Sequence, residues 1–401
     1  MQTLHPILKR GVMIWDRAAL PEALFRGRLA AAQQAITAAG QDAWLVYGDA
    51  LSYGDVAFLT HYLPRVRSAM LLVPREGEPS LLVAFGLRDI PAAKTLTWVD
   101  DVRPFTRLPG EVAKLVQERG LESGRIGLAG VEELMPAGEW EQIESLLPEV
   151  EWLPTDGTLG RMRATKTAEE VVAVARAAAI VRAGLDRAAL ELRPGLTERQ
   201  LLAEVDRELR YGGAEDARLL VASGPRASRA LRPADDRALA AGDTVLLYLA
   251  AEYQRYWAEA GQTFVLGTAD AETRQLAATA GAAVAAMLAV ASTGATAGAA
   301  VDAAVNVTRE AHDLLGTAPS APSDTYGLGH GIGLDIEEPP YLRAGDETPL
   351  IEGATLALHV VLHGRDGRGA IVGQTVQVGA ASAQPLVPLP AGVVELQGLP
   401  R

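Results

Sequence analysis

The chain has 401 residues, 37 basic against 50 acidic side chains, a formal net charge of −13 and no cysteine. That length predicts two domains. The acidity argues against nucleic acid or an anionic membrane as partner, because both need a basic face. The lack of thiols excludes disulfides, thiol catalysis and cysteine-held zinc.

Lys9, Arg10, Asp16 and Arg17 interrupt the start where a signal peptide needs an apolar core, so a cytoplasmic chain is expected. "LFRGRLAAAQQAITAAG" has helical period and stops at Gly40. "DAWLVYG" and "SAMLLVPREGEPSLLVAFG" read as strands, the second a hairpin turning at "REGEP". "GRIGLAG", "AGEWEQIESLLP" and "EVEWLP" continue an α/β alternation. A long helix then begins in "RMRATKTAEEVVAVARAAAIVRAGLDRAALEL", capped by the Thr167/Glu170 box, and Thr197 with Gln200 caps another. The division falls just before the first box, giving an α/β domain over 1–158 and a second domain over 159–401.

In the second domain "ARLLVASG", "DTVLLYLAAEY", "GQTFVLG", "ATLALHVVLHG" and "GAIVGQTVQVG" read as strands, with two helices between the third and fourth. The uncharged run 275–301 is long enough to cross a bilayer. It is mostly Ala, Gly and Thr and breaks at Thr293-Gly294, so two core helices are expected and no membrane. "PGLTERQLLAEV" and "TGATAGAAVDAA" both run Gly-x-Thr into a helix, which hints at duplicated halves.

The chemistry centres on "YGLGHGIGLDIEEPP", residues 326–340, where glycines surround His330 and Glu337 and Glu338 precede Pro-Pro. Alternation in "ATLALHVVLH" puts Leu356, Leu358, Val360 and Leu362 on one face and Thr355, Ala357, His359, Val361 and His363 on the other, a pattern that fits a cavity wall. Tyr248 sits mid-strand, and Glu259 lies in the run leading to the next strand, with Tyr256 and Trp257 placed to shelter it. Burial there would raise the Glu259 pKa and make it a proton carrier. If the strands are neighbours, Tyr248, Glu259, His330, Glu337 and His359 converge. Two histidines and a carboxylate then hold a metal or do acid–base work, or Glu259 and His359 simply satisfy each other.

These stretches resemble the pita-bread proteins: prolidase, aminopeptidase P, methionine aminopeptidase and creatinase. "RMRATKTAEEVVAVARAA" resembles the Arg-x-x-Lys-Ser-x-x-Glu helix of the prolidase and creatinase branch. "AAGDTVLLYLAAEYQRYWAEAGQTFVLG" resembles Gly-Asp…Asp…Asp…Thr-Arg-Thr-Phe, and "GLGHGIGLDIEEPP" resembles Gly-His-Gly-Ile-Gly-Leu-x-x-His-Glu-x-Pro. "IEGATLALHVVL" and "AIVGQTVQV" resemble Gly-Met-x-x-x-x-Glu-Pro and Arg-Ile-Glu-Asp-x-x-x-Val. The resemblance implies a creatinase-like N-terminal α/β domain, a C-terminal pita-bread α+β domain and a homodimer. Family peptidases hold two divalent metals on two aspartates, a histidine and two glutamates. Those positions carry Tyr248, Glu259, His330, His359 and Gly373 here. The second family histidine aligns with Glu337, the upstream histidine falls at or beside Leu231, and the Arg of Thr-Arg-Thr-Phe is Gln262.

The expectation is therefore a family member without the dinuclear site and with no cofactor. Glu259, His330, His359 and Tyr248 are its catalytic candidates; Glu337, Trp257 and Arg226 are its substrate-binding candidates, Arg226 clustering with Arg229 and Arg232. Three readings stay open. One is a metal-free enzyme on a small nitrogenous or carboxylated substrate or short peptide. Another is a hydrolase with a single ion on Glu259, His330 and His359, a donor set that suits zinc or ferrous iron. The third is a binding protein without turnover.

Overall fold

A computed structural model describes residues 13–84, 86–227, 231–310, 328–364 and 367–396, the side chains of Arg226 and Glu310 excepted. Arg229 and His312, and Tyr326 and Gly327 of the glycine-rich stretch, lie outside the described residues. The chain divides into two compact units, Met1–Arg163 and Ala164–Arg401.

The first unit is a six-stranded mixed sheet in the order β4-β3-β2-β1-β5-β6. Its strands are β1 (Ala43–Asp49), β2 (Ser68–Pro74), β3 (Ser80–Val83), β4 (Asp101–Pro104), β5 (Arg125–Ala129) and β6 (Glu151–Pro154). Its helices are α1 (Glu22–Ala38), α2 (Gly54–Thr60), α3 (Ile90–Ala93), α4 (Leu108–Glu118), α5 (Val131–Leu134) and α6 (Ala137–Leu146), and α7 (Thr158–Ala164) leads out of the unit. The predicted hairpin is the antiparallel β2–β3 pair. β1 is an almost unbroken apolar run because both of its faces are covered. Leu45 and Tyr47 on one face pack with Val112 and Val116 of α4 and with Ile126.

The second unit holds α8 (Ala168–Glu191), α9 (Glu198–Tyr211), β7 (Asp216–Ser223), β8 (Thr244–Tyr253), β9 (Tyr256–Val265), α10 (Ala271–Val290) and α11 (Ala297–Glu310). It continues with β10 (Gly329–Gly331), β11 (Glu338–Tyr341), β12 (Thr355–His363), β13 (Gly369–Val378), β14 (Ala383–Pro385) and β15 (Val394–Glu395). The sheet runs β11-β10-β12-β13-β9-β8-β7, with β14 on β13 and β15 on β9. Both predicted capping boxes form, at Thr167 with Glu170 and at Thr197 with Gln200. By length and composition α10 could cross a membrane. Its Leu276, Ala280, Val284 and Met287 instead pack with Leu358, Val360, Val372 and Val376 in a core.

The faint Gly-x-Thr echo is realised in hydrogen bonds. Gly195 N–H donates to the Leu239 carbonyl and Leu239 N–H to Leu196; Gly294 N–H donates to the Leu350 carbonyl and Leu350 N–H to Ala295. Two hairpins meet where β9 pairs β13 at Gly261–Gly373 and Ala260–Gln374. Beyond that short ladder a threonine bridges the strands on each side. Thr375 Oγ1 accepts from Glu259 N at 2.9 Å and donates to Glu259 O at 3.0 Å. Thr263 Oγ1 accepts from Ile371 N at 2.8 Å and donates to Ile371 O at 2.9 Å. The β8–β9 and β12–β13 hairpins are therefore counterparts about this seam.

Candidate active site

β9 begins at Tyr256, earlier than the sequence reading placed it, because Gln254 (φ 48°) and Arg255 (φ 72°) make a two-residue turn from β8. Glu259 is thus inside a strand rather than in a run leading to one. Alternation then separates the two aromatics expected to shelter it. Trp257 shares the face of Glu259, whereas Tyr256 turns away and donates its hydroxyl to Glu170 Oε1 at 3.1 Å.

Register assembles the rest. Tyr248 lies opposite Gly261, Gly261 opposite Gly373, and Gly373 opposite His359, so two glycines stand between a phenol and an imidazole on one face. Ala250 lies opposite Glu259, while His330 lies opposite Ala357, the strand neighbour of His359 on that face. The Tyr248 hydroxyl donates to Glu259 Oε2 at 2.6 Å, and His359 Nδ1 meets Glu259 Oε1 at 3.0 Å. His330 Nε2 is 3.8 Å from Glu259 Oε2, and the two imidazole centroids are 5.6 Å apart.

Glu259 is buried, which by itself opposes ionisation. Burial is the largest single influence, but the positive charge of His330, the hydrogen bond and charge of His359 and the Tyr248 hydroxyl together outweigh it, and the carboxyl falls to about 2. The rise expected from aromatic shelter is not found, because polar donors face the carboxylate. Glu259 is an anion and not a proton carrier. Burial and the Glu259 charge push the Tyr248 phenol well above its ordinary range, so it stays a neutral donor.

Acceptor-only partners place a proton on one nitrogen of each ring. The Glu259 carboxylate only accepts, so His359 Nδ1 carries a proton. The Gly331 carbonyl at 2.9 Å likewise holds the proton on His330 Nδ1, leaving Nε2 aimed at Glu259. Among the described residues Glu259, His330 and His359 form the one cluster of three potential metal donors, with ligand atoms within 4.8 Å of one another. That spacing and donor set fit one ion.

The other candidates separate. Trp257 is buried with Ala250, Ile332 and Ala357, against Tyr248 and Ile336, as a wall beside the cluster. Glu337 is exposed just before β11. The backbone of Arg226 lies in a short turn after β7 and its side chain falls outside the described residues. Arg232 is held by Glu198 at 3.1 Å and Asp235 at 3.0 Å. Leu231, at the upstream histidine position, packs with Ala222, Leu246, Ile371 and Val361 beside Tyr248.

Sequence reasoning missed Thr263, Thr375 and the buried Lys166–Glu338 ion pair. The pair was half visible, since Lys166 stands in the helix-opening motif and Glu338 in the glycine-rich one. Which of Glu337 and Glu338 turns inward depends on the pairing of Gly331 with Glu338.

The sequence pattern of metallopeptidase family M24 matches residues 173–380, just over half of the chain, and the creatinase/prolidase N-terminal domain matches 28–165. The chain belongs to family M24, as a prolidase-like member with the pita-bread fold. A Xaa-Pro dipeptidase of Pyrococcus horikoshii is 27% identical over 257 residues, 63% of this chain and 71% of the relative. A probable dipeptidase PepE of Mycobacterium tuberculosis is 28% identical over 306 residues, 73% of this chain and 76% of the relative. The X-Pro aminopeptidase structure from Thermotoga maritima shares the fold with a TM-score of 0.81, over 92% of this chain and 99% of that one, at 22% identity.

Proposed function

We propose that this prolidase-like protein has lost the dinuclear metal site and is a metal-independent hydrolase of a short peptide or other small nitrogenous or carboxylated substrate. The observation carrying the reading is that both oxygens of Glu259 are already engaged, by Tyr248 and His359, at positions where family peptidases hold metals. Gly373 offers no donor, and Ile371 belongs to a closed apolar cluster with Leu246 and Ala222. A second ion has nothing to bind on that side.

In this reading His359 is the general base and Glu259 its positioning residue, as a buried carboxylate orients an imidazole elsewhere. His359 Nε2 takes a proton from water as the water oxygen bonds to the substrate carbonyl carbon. The same proton passes to the amine nitrogen when the carbon–nitrogen bond breaks. Tyr248 holds the second oxygen of Glu259 and keeps the carboxylate from swinging away. The reading includes a cytoplasmic homodimer, supported by the resemblance to prolidase and creatinase.

A single ion is the second reading, favoured by the 3.8 Å approach of His330 Nε2 to Glu259 Oε2. Two opposed acceptors at that distance need positive charge, from a proton on Nε2 or from a cation. Glu259, His330 and His359 would hold the ion, which would polarise the substrate carbonyl and activate water. Elemental analysis of the full chain, followed by assays of Xaa-Pro dipeptides with and without added manganese or cobalt, separates the two. The first reading expects less than about a tenth of an equivalent of metal and no metal-stimulated cleavage. One equivalent of tightly held metal, lost in His359→Ala, selects the second.

A further inference from the structure

A buried ion pair lies against the segment that carries His330. Lys166 stands one residue ahead of the Thr167 cap of α8, and its ammonium donates to Glu338 Oε1. The two side chains are only 3% and 6% exposed, so both charges are out of water. The Lys166 backbone is fixed as well, its N–H donating to the Gly353 carbonyl at 3.4 Å on the approach to β12. The pair thereby ties the start of α8 to β11.

Desolvating two charges costs about as much as their attraction returns, and apolar side chains of similar volume commonly hold a fold as well or better. Stability alone is a weak reason for such a pair. Direction is what an apolar pair does not supply. An ammonium against one carboxylate oxygen fixes where Glu338 sits.

Little slack separates Glu338 from the histidine. In the β10–β11 ladder Gly331 lies opposite Glu338 and His330 opposite Tyr341, so the pairing slips between these two neighbours. A Cβ on Gly331 would lie 2.5 Å from the Pro339 carbonyl oxygen and 2.6 Å from that of Glu338. One on Gly333 would lie 2.7 Å from Glu338 Oε1 and 2.9 Å from Lys166 Cε. Both glycines are thus pressed against the pair and its strand. The Gly331 carbonyl is the group that meets His330 Nδ1 at 2.9 Å. A displaced Glu338 therefore carries that carbonyl with it.

We propose that Lys166 is a positioning residue: through Glu338 it holds the Gly331 carbonyl against His330 Nδ1 and keeps His330 Nε2 turned towards Glu259. The proposal rests on reading the Tyr248–Glu259–His330–His359 cluster as the reacting centre. Lys166 acts at one remove, its own hydrogen bonds among the described residues going to Glu338 and Gly353.

Nitrogen-15 NMR of the full chain, labelled at its six histidines, tests this without requiring turnover. His330→Gln identifies the His330 ring N–H resonance by its loss. His61, whose Nδ1 lies 3.3 Å from the Leu96 carbonyl in the first unit, is the internal control. Glu338→Gln keeps the shape of the side chain and removes its charge. Its His330 ring proton is expected to exchange with water about ten-fold faster than in the wild type, with His61 unchanged. Lys166→Met/Glu338→Leu replaces the pair by apolar groups and is expected to recover the wild-type urea midpoint while exchange at His330 stays about ten-fold faster. Exchange that returns to the wild-type rate together with the midpoint overturns the proposal, since the pair then acts through stability alone. If the double variant does not fold, Glu338→Gln decides, and unchanged exchange in it overturns the proposal. A wild type whose His330 ring proton is unprotected does the same. Protection that the variants lose, in a protein that hydrolyses no Xaa-Pro dipeptide, leaves the positioning role standing and sinks the catalytic reading alone. Hydrolysis that Glu338→Gln leaves at the wild-type rate sinks the positioning role and spares the catalytic reading.

Discussion

The two hairpins of the second unit share one scaffold and differ in what they present. Each carries a glycine at the seam, Gly261 in one and Gly373 in the other, and each sends a threonine hydroxyl to the other's backbone. Thr263 bridges to Ile371 and Thr375 bridges to Glu259, so Ile371 and Glu259 are counterparts. Tyr248 and His359 are counterparts too, each opposite its seam glycine. Ala222 opposite Leu246 corresponds to His330 opposite Ala357. Where one half places Ala222, Tyr248 and Glu259, the other places His330, His359 and Ile371. The polar groups collect around Glu259 and the apolar ones around Ile371. A duplicated frame thus supports an asymmetric site, with chemistry on one side of the seam and packing on the other.

The largest expected effect comes from removing the charge that separates the halves. Glu259→Gln should lower any hydrolytic turnover by about 10²–10⁴-fold, the range for losing the group that orients a general base. A steady-state assay on an identified substrate checks this, and unchanged turnover would sink the role assigned to the carboxylate.

Acid should erase the same difference in stability. The folded carboxyl of Glu259 lies at about 2 against an ordinary 4.5. A depressed carboxyl contributes stability that is present above its unfolded value and is lost as pH falls from there through its folded one, here on the order of 3 kcal/mol in all. The gap in urea midpoint between wild type and Glu259→Gln should shrink from about pH 4.5 downwards. A gap that stays level down to about pH 3 would mean that the carboxyl is not held ionised.

The seam glycines sharpen the comparison. A Cβ on Gly373 would lie 2.8 Å from the Cβ of His359 and 3.1 Å from the Leu358 carbonyl, whereas one on Gly261 would lie 2.5 Å from the tip of Ile371. An isoleucine tip can rotate and a Cβ cannot. Gly373→Ala should cost about 1–3 kcal/mol in chemical denaturation and displace His359, with Gly261→Ala the milder change. Equal costs would show that the two halves give way alike.

The smallest effect is expected where the halves agree. Thr263→Val and Thr375→Val each remove a hydroxyl that pairs with one N–H and one C=O of the facing strand. Each should cost about 1–2 kcal/mol. The two costs should match, because the bridges are the same bond pattern seen from opposite sides.

Much of this was legible in the chain. The capping boxes at Thr167 and Thr197 are local pairs three residues apart, and short-range geometry decides them. The strand period placed His359 on the polar face of its strand, and the glycine-rich stretch marked His330. The state of Glu259 was not legible. Tyr256 and Trp257 look alike as neighbours of a carboxylate, but a strand sends alternate residues to opposite faces, and the turn at Gln254–Arg255 set where that alternation begins.

The amino-acid sequence by itself determined the fold class and the main helices and strands of both units, because period, caps and turn residues act over a few positions. Only the tertiary structure decided which polar groups face one another and in which charge state. A carboxylate's ionisation depends on the balance between burial and the donors around it. Those donors, Tyr248, His330 and His359, come from β8, β10 and β12, three strands that no local rule places beside Glu259.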